Sequence, residues 1–488
     1  MMVMAPQLAL IAVVVSVVFV TLRDDMTMPS AINGYDTYQY HWAVPLLLLR
    51  NHGWQAFPGW AHANLPFATE MLNLMALSFQ APQAALLIQD AFGLLTALLL
   101  FAVVQRHFGS TTGWLVVAAE TSIPVLMMYT TQSYVETALI FYGLAALATL
   151  IHFLTRAAGG DLPDWRLLAL TGIFLGLALS VKYTAVEYLP AVVVLILLGL
   201  GIYLGRTDHA TGRHALMQVL AALTALVGGM VVVFVPWLVK DWVLLGNPVY
   251  PALPQVFATP GWDKMRSQTL AVTFQHFGPK SGIVAQLHLY AFDLFIHPAS
   301  YGEGKGFPAG SIGDTAGIGV PYIAYQLWRT RRAGWAMPSA PQFLTLFAIG
   351  ASGVGALAVW TLSGALVERY ALPGVVLITV FAATSIGWIL SRLPKHLYAV
   401  TWLVVGMMTL VCFVQVIAVF VYNYAERDPL PVLTGSVSEH AFQRMHAGGG
   451  LPLDFYQTVD YVNQWLPHDG KLLMIGRGTG YFFTNRDY

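Results

Sequence analysis

Long apolar stretches alternate with short polar connections along almost the whole chain. A helix needs about 20 apolar residues to cross the hydrocarbon core of a bilayer. Stretches of this kind predict about eleven transmembrane helices, at about 3–22, 84–104, 113–130, 135–154, 167–182, 186–204, 215–237, 316–328, 341–361, 370–390 and 397–421. The predicted fold class is therefore an all-α polytopic membrane protein.

Two connections between these helices are longer than a simple turn requires. The first, 23–83, contains five prolines and an apolar run, Val44 to Leu49, that is too short to span, so it predicts interfacial helices joined by loops. The second, about 238–315, includes the turn-rich run Gly246-Asn247-Pro248-Val249-Tyr250-Pro251. We expect its half-apolar stretch 283–296 to lie on the membrane.

The sequence divides into a transmembrane domain, 1–421, and a C-terminal tail, 422–488. Within the tail, helical spacing predicts a helix over 453–466, and Leu472 to Ile475 predicts a strand. We therefore expect a small extracytoplasmic α/β tail, either a truncated domain or a small cap. The run Gly476-Arg477-Gly478-Thr479-Gly480 that follows is interpreted as a turn, because no helix or downstream acid completes a dinucleotide site.

Composition agrees with a membrane protein and narrows its partners. Hydrophobic residues make up 57% and charged residues 10% of the chain, whereas a globular domain carries about 25% charged residues. The net charge is zero, which gives no indication of nucleic acid as a partner. The single cysteine, Cys412, lies in an apolar run and can form neither an internal disulfide nor a thiolate metal site.

Basic residues in the short loops predict the orientation. With the N-terminus inside, the inner loops hold Arg106, Arg156, Arg166, Arg206, Arg213, Arg329, Arg331, Arg332, Arg392 and Lys395. The short outer connections 131–134 and 183–185 carry no Lys or Arg. The prediction is a cytoplasmic N-terminus in a bacterial or archaeal plasma membrane, with Asp36 on the extracytoplasmic side.

Ionisable side chains near the outer helix ends are the candidates for chemistry. Each costs about 2.5–3.5 kcal/mol inside a span and so needs a partner or a function. This orientation brings Asp90, Glu136, Lys182, Glu187 and Arg369 to one membrane face, where Asp36 and Glu70 lie on the first outer loop. The alternative is that helix ends are simply where charges are least costly. Glu120, near mid-span just before Pro124, is an exception and is interpreted as a packing or uncharged residue.

The predicted extracytoplasmic location of the site limits the possible sugar donors, because no pool of nucleotide sugars exists on that side of the membrane. A sugar transferase at this face would use a lipid-phosphate donor, and one carboxylate base, Asp36, would suffice on the acceptor side. Arg369 and Lys182 are the candidate phosphate ligands, Arg369 being favoured by its planar fork. The alternatives are that Arg369 pairs with Glu368, and that Lys182 neutralises Glu187 or Glu136.

Motifs in a fixed order resemble the GT-C superfamily of glycosyltransferases. The resemblance is carried by Tyr35-Asp36 through Tyr40-His41, Ser133-Tyr134-Val135-Glu136, Gly176-Leu177-Ala178 with Lys182-Tyr183-Thr184, Pro236-Trp237 with Gly246-Asn247-Pro248, and Arg369-Tyr370-Ala371-Leu372-Pro373. The chain is most similar to the bacterial branch that contains protein O-mannosyltransferases and the aminoarabinose transferase of lipid A. These motifs extend from about residue 33 to 375.

The resemblance implies a GT-C fold and an inverting transfer from a polyprenyl-phosphate sugar, with Asp36 as the catalytic aspartate. The residues expected to bind substrate are Tyr35, Tyr40, His41, Glu70, Glu136, Lys182, Tyr183, Asn247, Arg369 and Tyr370. Two departures are notable, since Thr37 stands where many relatives have a second acid, and Glu136 stands where Asp is commoner. The sugar and the acceptor (protein, lipid or glycan) stay open.

Two further questions stay open at this point. No cofactor is predicted: Asp24-Asp25 could bind a divalent cation with His41, His52 and His62 nearby, but no pair has the i, i+4 spacing of a preformed zinc site. Two other functions are alternatives to the transferase. One is a transporter or flippase of a lipid-linked or small polar solute, and the other is a non-catalytic membrane subunit.

Overall fold

The computed structural model describes residues 4–29, 34–161, 163–205, 212–275, 319–332, 340–363, 365–445 and 455–467. Those residues form eighteen α-helices: α1 Met4–Asp24, α2 Ala43–Arg50, α3 Ala68–Ser78, α4 Pro82–Phe108, α5 Ser110–Thr121, α6 Pro124–Thr130, α7 Glu136–Gly159, α8 Trp165–Val181, α9 Leu189–Leu204, α10 Gly212–Leu245, α11 Lys264–Gln275, α12 Val320–Arg332, α13 Pro341–Ser363, α14 Leu372–Ser391, α15 Tyr398–Arg427, α16 Leu430–Leu433, α17 Glu439–Met445 and α18 Phe455–Trp465. Short 3₁₀ or π turns at Thr37–His41, Ala61–Asn64, Tyr183–Tyr188, Glu368–Ala371 and Lys395–Leu397 accompany them.

The transmembrane prediction is confirmed as a class. In the part of the chain that the structure describes, eight helices are long and apolar enough to cross a bilayer, and the bent pair α5–α6 makes a ninth. The apolar helix α8 is shorter, and α12 has 13 residues, which cover only about 20 Å at 1.5 Å per residue. The number eleven stays a prediction.

Small residues allow the neighbouring helices α8 and α10 to pack closely. A Cβ added at Gly172 of α8 would overlap the carbonyl oxygen of Leu226 in α10, and one at Gly229 would overlap that of Ala169. Glycine at these positions therefore lets the two backbones touch, as is typical of helix pairs in membranes. Helices α7 and α14 are the most enclosed of the spans, and α14 contacts both α13 and α5.

The third span is broken rather than continuous. Helix α5 ends at Thr121, α6 begins at Pro124, and the two axes differ by 66°. Proline at the start of α6 explains the break, because its ring excludes the hydrogen bond and the space that a continuing helix needs. The bend places Glu120 inside the bundle.

The segment 23–83, the predicted first outer loop, is helical in short pieces where the structure describes it. Helices α2 and α3 and the turn Ala61–Asn64 fold over the bundle end at which α1 finishes and α4 begins. In the tail, the helix predicted over 453–466 is observed as α18. The predictions for 283–296, for the strand Leu472–Ile475 and for the turn at Gly476–Gly480 lie outside the described residues, and the domain division stays a prediction.

Candidate functional site

Asp36 is buried at the end of the bundle and bonded to an arginine. It directly precedes the turn Thr37–His41, is 8% exposed, and its Oδ2 atom lies 2.5 Å from Nη1 of Arg369. The hydroxyl of Tyr40, one turn further along, donates to the same carboxylate oxygen at 3.0 Å. The Asp36 carboxylate thus accepts from a charged donor, Arg369, and from a neutral donor, Tyr40.

Aromatic rings hold the arginine in place. Arg369 lies in the 3₁₀ turn Glu368–Ala371, which leads into α14, and its guanidinium carbon is 5.3 Å from the ring centres of both Tyr134 and Tyr370. Rings at this distance attract a cation through their negative faces. The hydroxyl of Tyr134 also accepts a hydrogen bond from the backbone N–H of Asp36 at 3.4 Å. Arg369 therefore pairs with Asp36, which the sequence had not linked to it.

A second buried ion pair lies beside the first. Nζ of Lys182, at the end of α8, is 2.5 Å from Oε1 of Glu136 at the start of α7. The same ammonium is 4.7 Å from the ring centre of Tyr370, which connects the two pairs. Of the sequence alternatives for Lys182, pairing with Glu136 is the one that the structure shows. Both predicted phosphate ligands are thus paired with carboxylates here.

A histidine and a glutamate complete the cluster on the side of the outer loop. Nδ1 of His41 is 2.7 Å from Oε1 of Glu70 in α3, and both side chains are 2% exposed. The centre of the His41 ring lies 4.2 Å from that of Tyr40, and the ring of His62 stacks on Tyr40 at 5.1 Å between ring centres. A contact chain therefore runs from Glu70 through His41 and Tyr40 to Asp36.

The charges around Asp36 determine its ionisation. Burial works to raise the pKa of Asp36, but the positive charge of Arg369, with smaller contributions from His41 and His62, outweighs it and holds the pKa at about 2. Burial and the charge on Asp36 raise the pKa of Tyr40 well above its usual value. Burial also lowers the pKa of His62. The neutral Tyr40 hydroxyl is thus a stable donor to an ionised Asp36.

Other predicted site residues lie at the margin of this cluster. Tyr35 is half-buried beside Asp36. Tyr183 packs its ring edge against Phe234, at 6.3 Å between ring centres. Asn247 accepts from the N–H of Val249 and donates to the carbonyl of Ala252, so its side chain fixes the turn after α10. Their substrate roles stay predictions.

Sequence reasoning did not assign a role to Tyr134 or His62 in this site. Tyr134 stands in the Ser-Tyr-Val-Glu motif, and its place in that motif was the signal that could have identified it.

The seventh span is longer than predicted. Helix α10 continues to Leu245, so Lys240 belongs to the bundle. Its ammonium group donates to the carbonyls of Asn64 and Leu65 and thereby fastens the outer loop to α10.

The possible metal ligands at Asp24 are engaged in protein contacts. Asp24 is bonded to Arg23 at 2.8 Å and to the amide of Asn423 at 2.5 Å. Within the described ranges, no three His, Cys, Asp or Glu side chains come together as a metal site would require. The absence of a cofactor stays a prediction.

Comparison with known proteins agrees with this architecture. The family Dolichyl-phosphate-mannose-protein mannosyltransferase matches residues 67–239. ArnT from Cupriavidus metallidurans, solved bound to undecaprenyl phosphate, is 15% identical with a TM-score of 0.53, covering 98% of this chain and 84% of that one. AglB from Archaeoglobus fulgidus, solved with an inhibitory peptide and a dolichol-phosphate, is 13% identical with a TM-score of 0.45, covering 94% and 58%. No curated protein sequence matches significantly.

The fold and the buried cluster define the class as an integral, multi-pass membrane protein. The structural likeness to ArnT shows that its fold is that of the GT-C membrane glycosyltransferases. The resemblance stated from the sequence motifs is thereby confirmed as a likeness of fold, and the family match over residues 67–239 agrees with it.

Proposed function

We propose that this protein is an inverting glycosyltransferase that moves a sugar from a polyprenyl-phosphate donor to an acceptor hydroxyl on the extracytoplasmic face. The observation that carries the proposal is the contact of Asp36 with Arg369 inside one charged cluster. Residues from the first outer loop, α3, α7, α8 and the start of α14 converge there. A carboxylate beside two cations is the combination that a base and a departing phosphate require.

In the proposed reaction Asp36 accepts the proton of the acceptor hydroxyl. The acceptor oxygen forms a bond to the anomeric carbon, and the bond from that carbon to the phosphate oxygen breaks with its electron pair. Attack from the side opposite the leaving phosphate inverts the sugar carbon. The lipid phosphate gains one negative charge as it leaves, and Arg369 and Lys182 are the cations close enough to the cluster to balance that charge.

The ion pair between Asp36 and Arg369 must open for this reaction. A carboxylate with a pKa of about 2 is a poor base near neutral pH. The donor phosphate competes with Asp36 for the guanidinium, and once Arg369 turns to the phosphate, burial raises the pKa of Asp36. Binding of the donor would therefore activate the base, so that the base becomes active only when a sugar is present to be transferred.

The predicted membrane orientation supports an outward-facing site. The cluster lies where α1 and α8 end and where α4, α7 and α14 begin. Arg106 and Arg156 lie near the opposite ends of α4 and α7. Basic residues favour the cytoplasmic side, which supports a position of Asp36 on the other face.

The test is a transfer assay on the purified full chain with a panel of undecaprenyl-phosphate sugars and mixed membrane acceptors. Sugar release from the lipid phosphate is measured for the wild type and for Asp36→Asn, with Asp161→Asn as the matched control on an exposed pair. We expect Asp36→Asn to lower turnover by a factor of about 10²–10⁴ and Asp161→Asn to retain it. Full turnover by a folded Asp36→Asn protein would remove Asp36 from the mechanism.

A further inference from the structure

A cavity lies inside the bundle, between α1, α4, α7 and the broken span α5–α6. The lining is mainly apolar, with Val14, Val17, Ala97 and Ile140 among its residues. None of the ion-paired residues around Asp36 lines it, so this cavity is separate from the site described above.

The cavity contains a buried carboxyl group that no described residue satisfies. Glu120 is 2% exposed, and its Oε2 atom is buried without a hydrogen-bond partner among the described residues. A carboxyl group at this depth of a membrane is costly and calls for a partner. Because Glu120 lines the cavity, the missing partner belongs to whatever fills it.

Two exposed leucines border the cavity on a surface of the bundle whose apolar side chains predict contact with lipid. Leu22 of α1 and Leu94 of α4 both line it and are 38% and 46% exposed on the bundle surface. Along α1 the lining extends from Val14 to Leu22, about 12 Å of helix at 1.5 Å per residue. An elongated occupant that enters between α1 and α4 would be a hydrocarbon chain of a membrane lipid.

We propose that this cavity binds one hydrocarbon chain of a membrane lipid that carries a hydroxyl or amide group, which hydrogen-bonds to Glu120. The apolar walls accept the methylene groups, and a carboxyl group can pair with either polar group. An unsubstituted isoprenoid chain, such as that of a polyprenyl phosphate, has no such group and would leave Glu120 without a partner. The cavity thus selects a functionalised lipid chain over the carrier of the sugar.

The position of the cavity connects it to the cluster around Asp36. Thr137 lines the cavity and directly follows Glu136, which pairs with Lys182. A lipid whose chain lies in the cavity would hold its polar end near the ion-paired residues, as a sugar acceptor must. This acceptor role rests on the proposed function, whereas binding of the chain does not.

The test uses two photoactivatable lipids with chains of equal length, one chain unsubstituted and the other with a mid-chain hydroxyl. The full chain in lipid nanodiscs is irradiated with each probe, and the labelled peptides are identified by mass spectrometry. We expect both probes to label the α1 and α4 residues of the cavity, the hydroxylated one at least fivefold more. In Glu120→Leu the labelling should persist and the preference should disappear.

Two glycine variants serve as a matched pair. A Cβ at Gly93, which lines the cavity, meets no atom within 4 Å, and the same holds at Gly228 on the exposed side of α10. Gly93→Leu should therefore fill the cavity and reduce labelling at least fivefold, whereas Gly228→Leu should leave it unchanged. No cavity labelling in the wild type, equal labelling by both probes, or full labelling of Gly93→Leu would each overturn the proposal.

Failure of this proposal is distinguishable from failure of the proposed function. Asp36 does not line the cavity, so Asp36→Asn should be labelled as the wild type is. Sugar transfer that depends on Asp36, together with an unlabelled cavity, would reject the lipid site alone. A labelled cavity with no sugar transfer would reject the transferase alone.

Discussion

The guanidinium of Arg369 and the carboxylate of Asp36 are 2.5 Å apart, although they come from opposite parts of the chain. Both residues are buried, Arg369 at 7% and Asp36 at 8% exposure. Such a pair is stable only while it is complete, since removal of one partner leaves an uncompensated charge. It also means that the proposed base and the proposed phosphate ligand neutralise each other before substrate arrives.

Loss of the competing carboxylate should strengthen phosphate binding. In Asp36→Asn, Arg369 keeps its position between Tyr134 and Tyr370, but the carboxylate of residue 36 no longer competes with the phosphate for it. We expect undecaprenyl phosphate to bind Asp36→Asn about tenfold more tightly than the wild type, a difference of about 1.4 kcal/mol, while turnover falls. Titration of the purified protein with the lipid phosphate measures this. Equal or weaker binding would show that Asp36 does not compete for Arg369.

The pH dependence of stability should reverse when the arginine is removed. In the wild type the pKa of Asp36 is lowered from 3.8 to about 2, so this group contributes about 2 kcal/mol above pH 4, which is lost as the pH falls through about 2. In Arg369→Gln burial dominates and raises the pKa, so the ionised form becomes destabilising.

We therefore expect the Tm of Arg369→Gln in detergent to rise as the pH is lowered from 7 to 5, relative to the wild type. Thermal unfolding across this range measures it, and Asp36→Asn combined with Arg369→Gln should abolish the difference. Parallel profiles for wild type and Arg369→Gln would contradict the assignment of Arg369 as the cause.

The pair of Lys182 and Glu136 should show strong energetic coupling. Lys182→Met leaves Glu136 charged, 1% exposed and without its cation, a change that costs about 3–5 kcal/mol in buried pairs. Glu136→Gln added to Lys182→Met should restore most of the lost Tm. Asp161→Asn, at a pair that is 41% and 54% exposed, should change the Tm little. Additive losses in the double variant would refute a coupled pair.

Glu70 should act on turnover by positioning. It fixes the ring of His41, which contacts Tyr40, the donor to Asp36. Glu70→Gln is therefore expected to lower kcat about tenfold through misplacement of the base, with little change in the KM of the donor. Steady-state kinetics separate the two, and His52→Gln at an exposed position of the same loop is the control. A rise in KM alone would assign Glu70 to substrate contact instead.

Membrane spans were predictable because burial in lipid imposes a length and a composition that can be read locally. The spans α1, α4, α7, α13, α14 and α15 all lie close to their predicted positions. The broken third span was not predicted, although Pro124 was visible, because an apolar run does not show whether a proline kinks or ends a helix. The predicted span at 316–328 is observed as α12, Val320–Arg332. The shift arises because apolar composition alone does not determine where a helix begins.

The candidate site was predictable in part because the cost of burying charge in lipid can also be read from each segment separately. Charges are rare in spans, so Asp36, Glu136, Lys182 and Arg369 stood out as residues that need partners. Which partner each would have was not predictable, because it depends on helix rotation and on the fold of the outer loop. The supporting ring of Tyr134 was overlooked for that reason, since a tyrosine near a helix end is common at membrane interfaces.

The sequence by itself determined that this is an integral membrane protein. It also determined which few charged residues in or near the spans require a partner of opposite charge or a hydrogen bond. Hydrocarbon length and the cost of charge in lipid act on each segment separately, so both can be read from one stretch at a time. Only the tertiary structure decided that Arg369 pairs with Asp36, that Lys182 pairs with Glu136, and that Glu120 borders a cavity. Those relations depend on how distant helices pack against one another, and no local pattern encodes that packing.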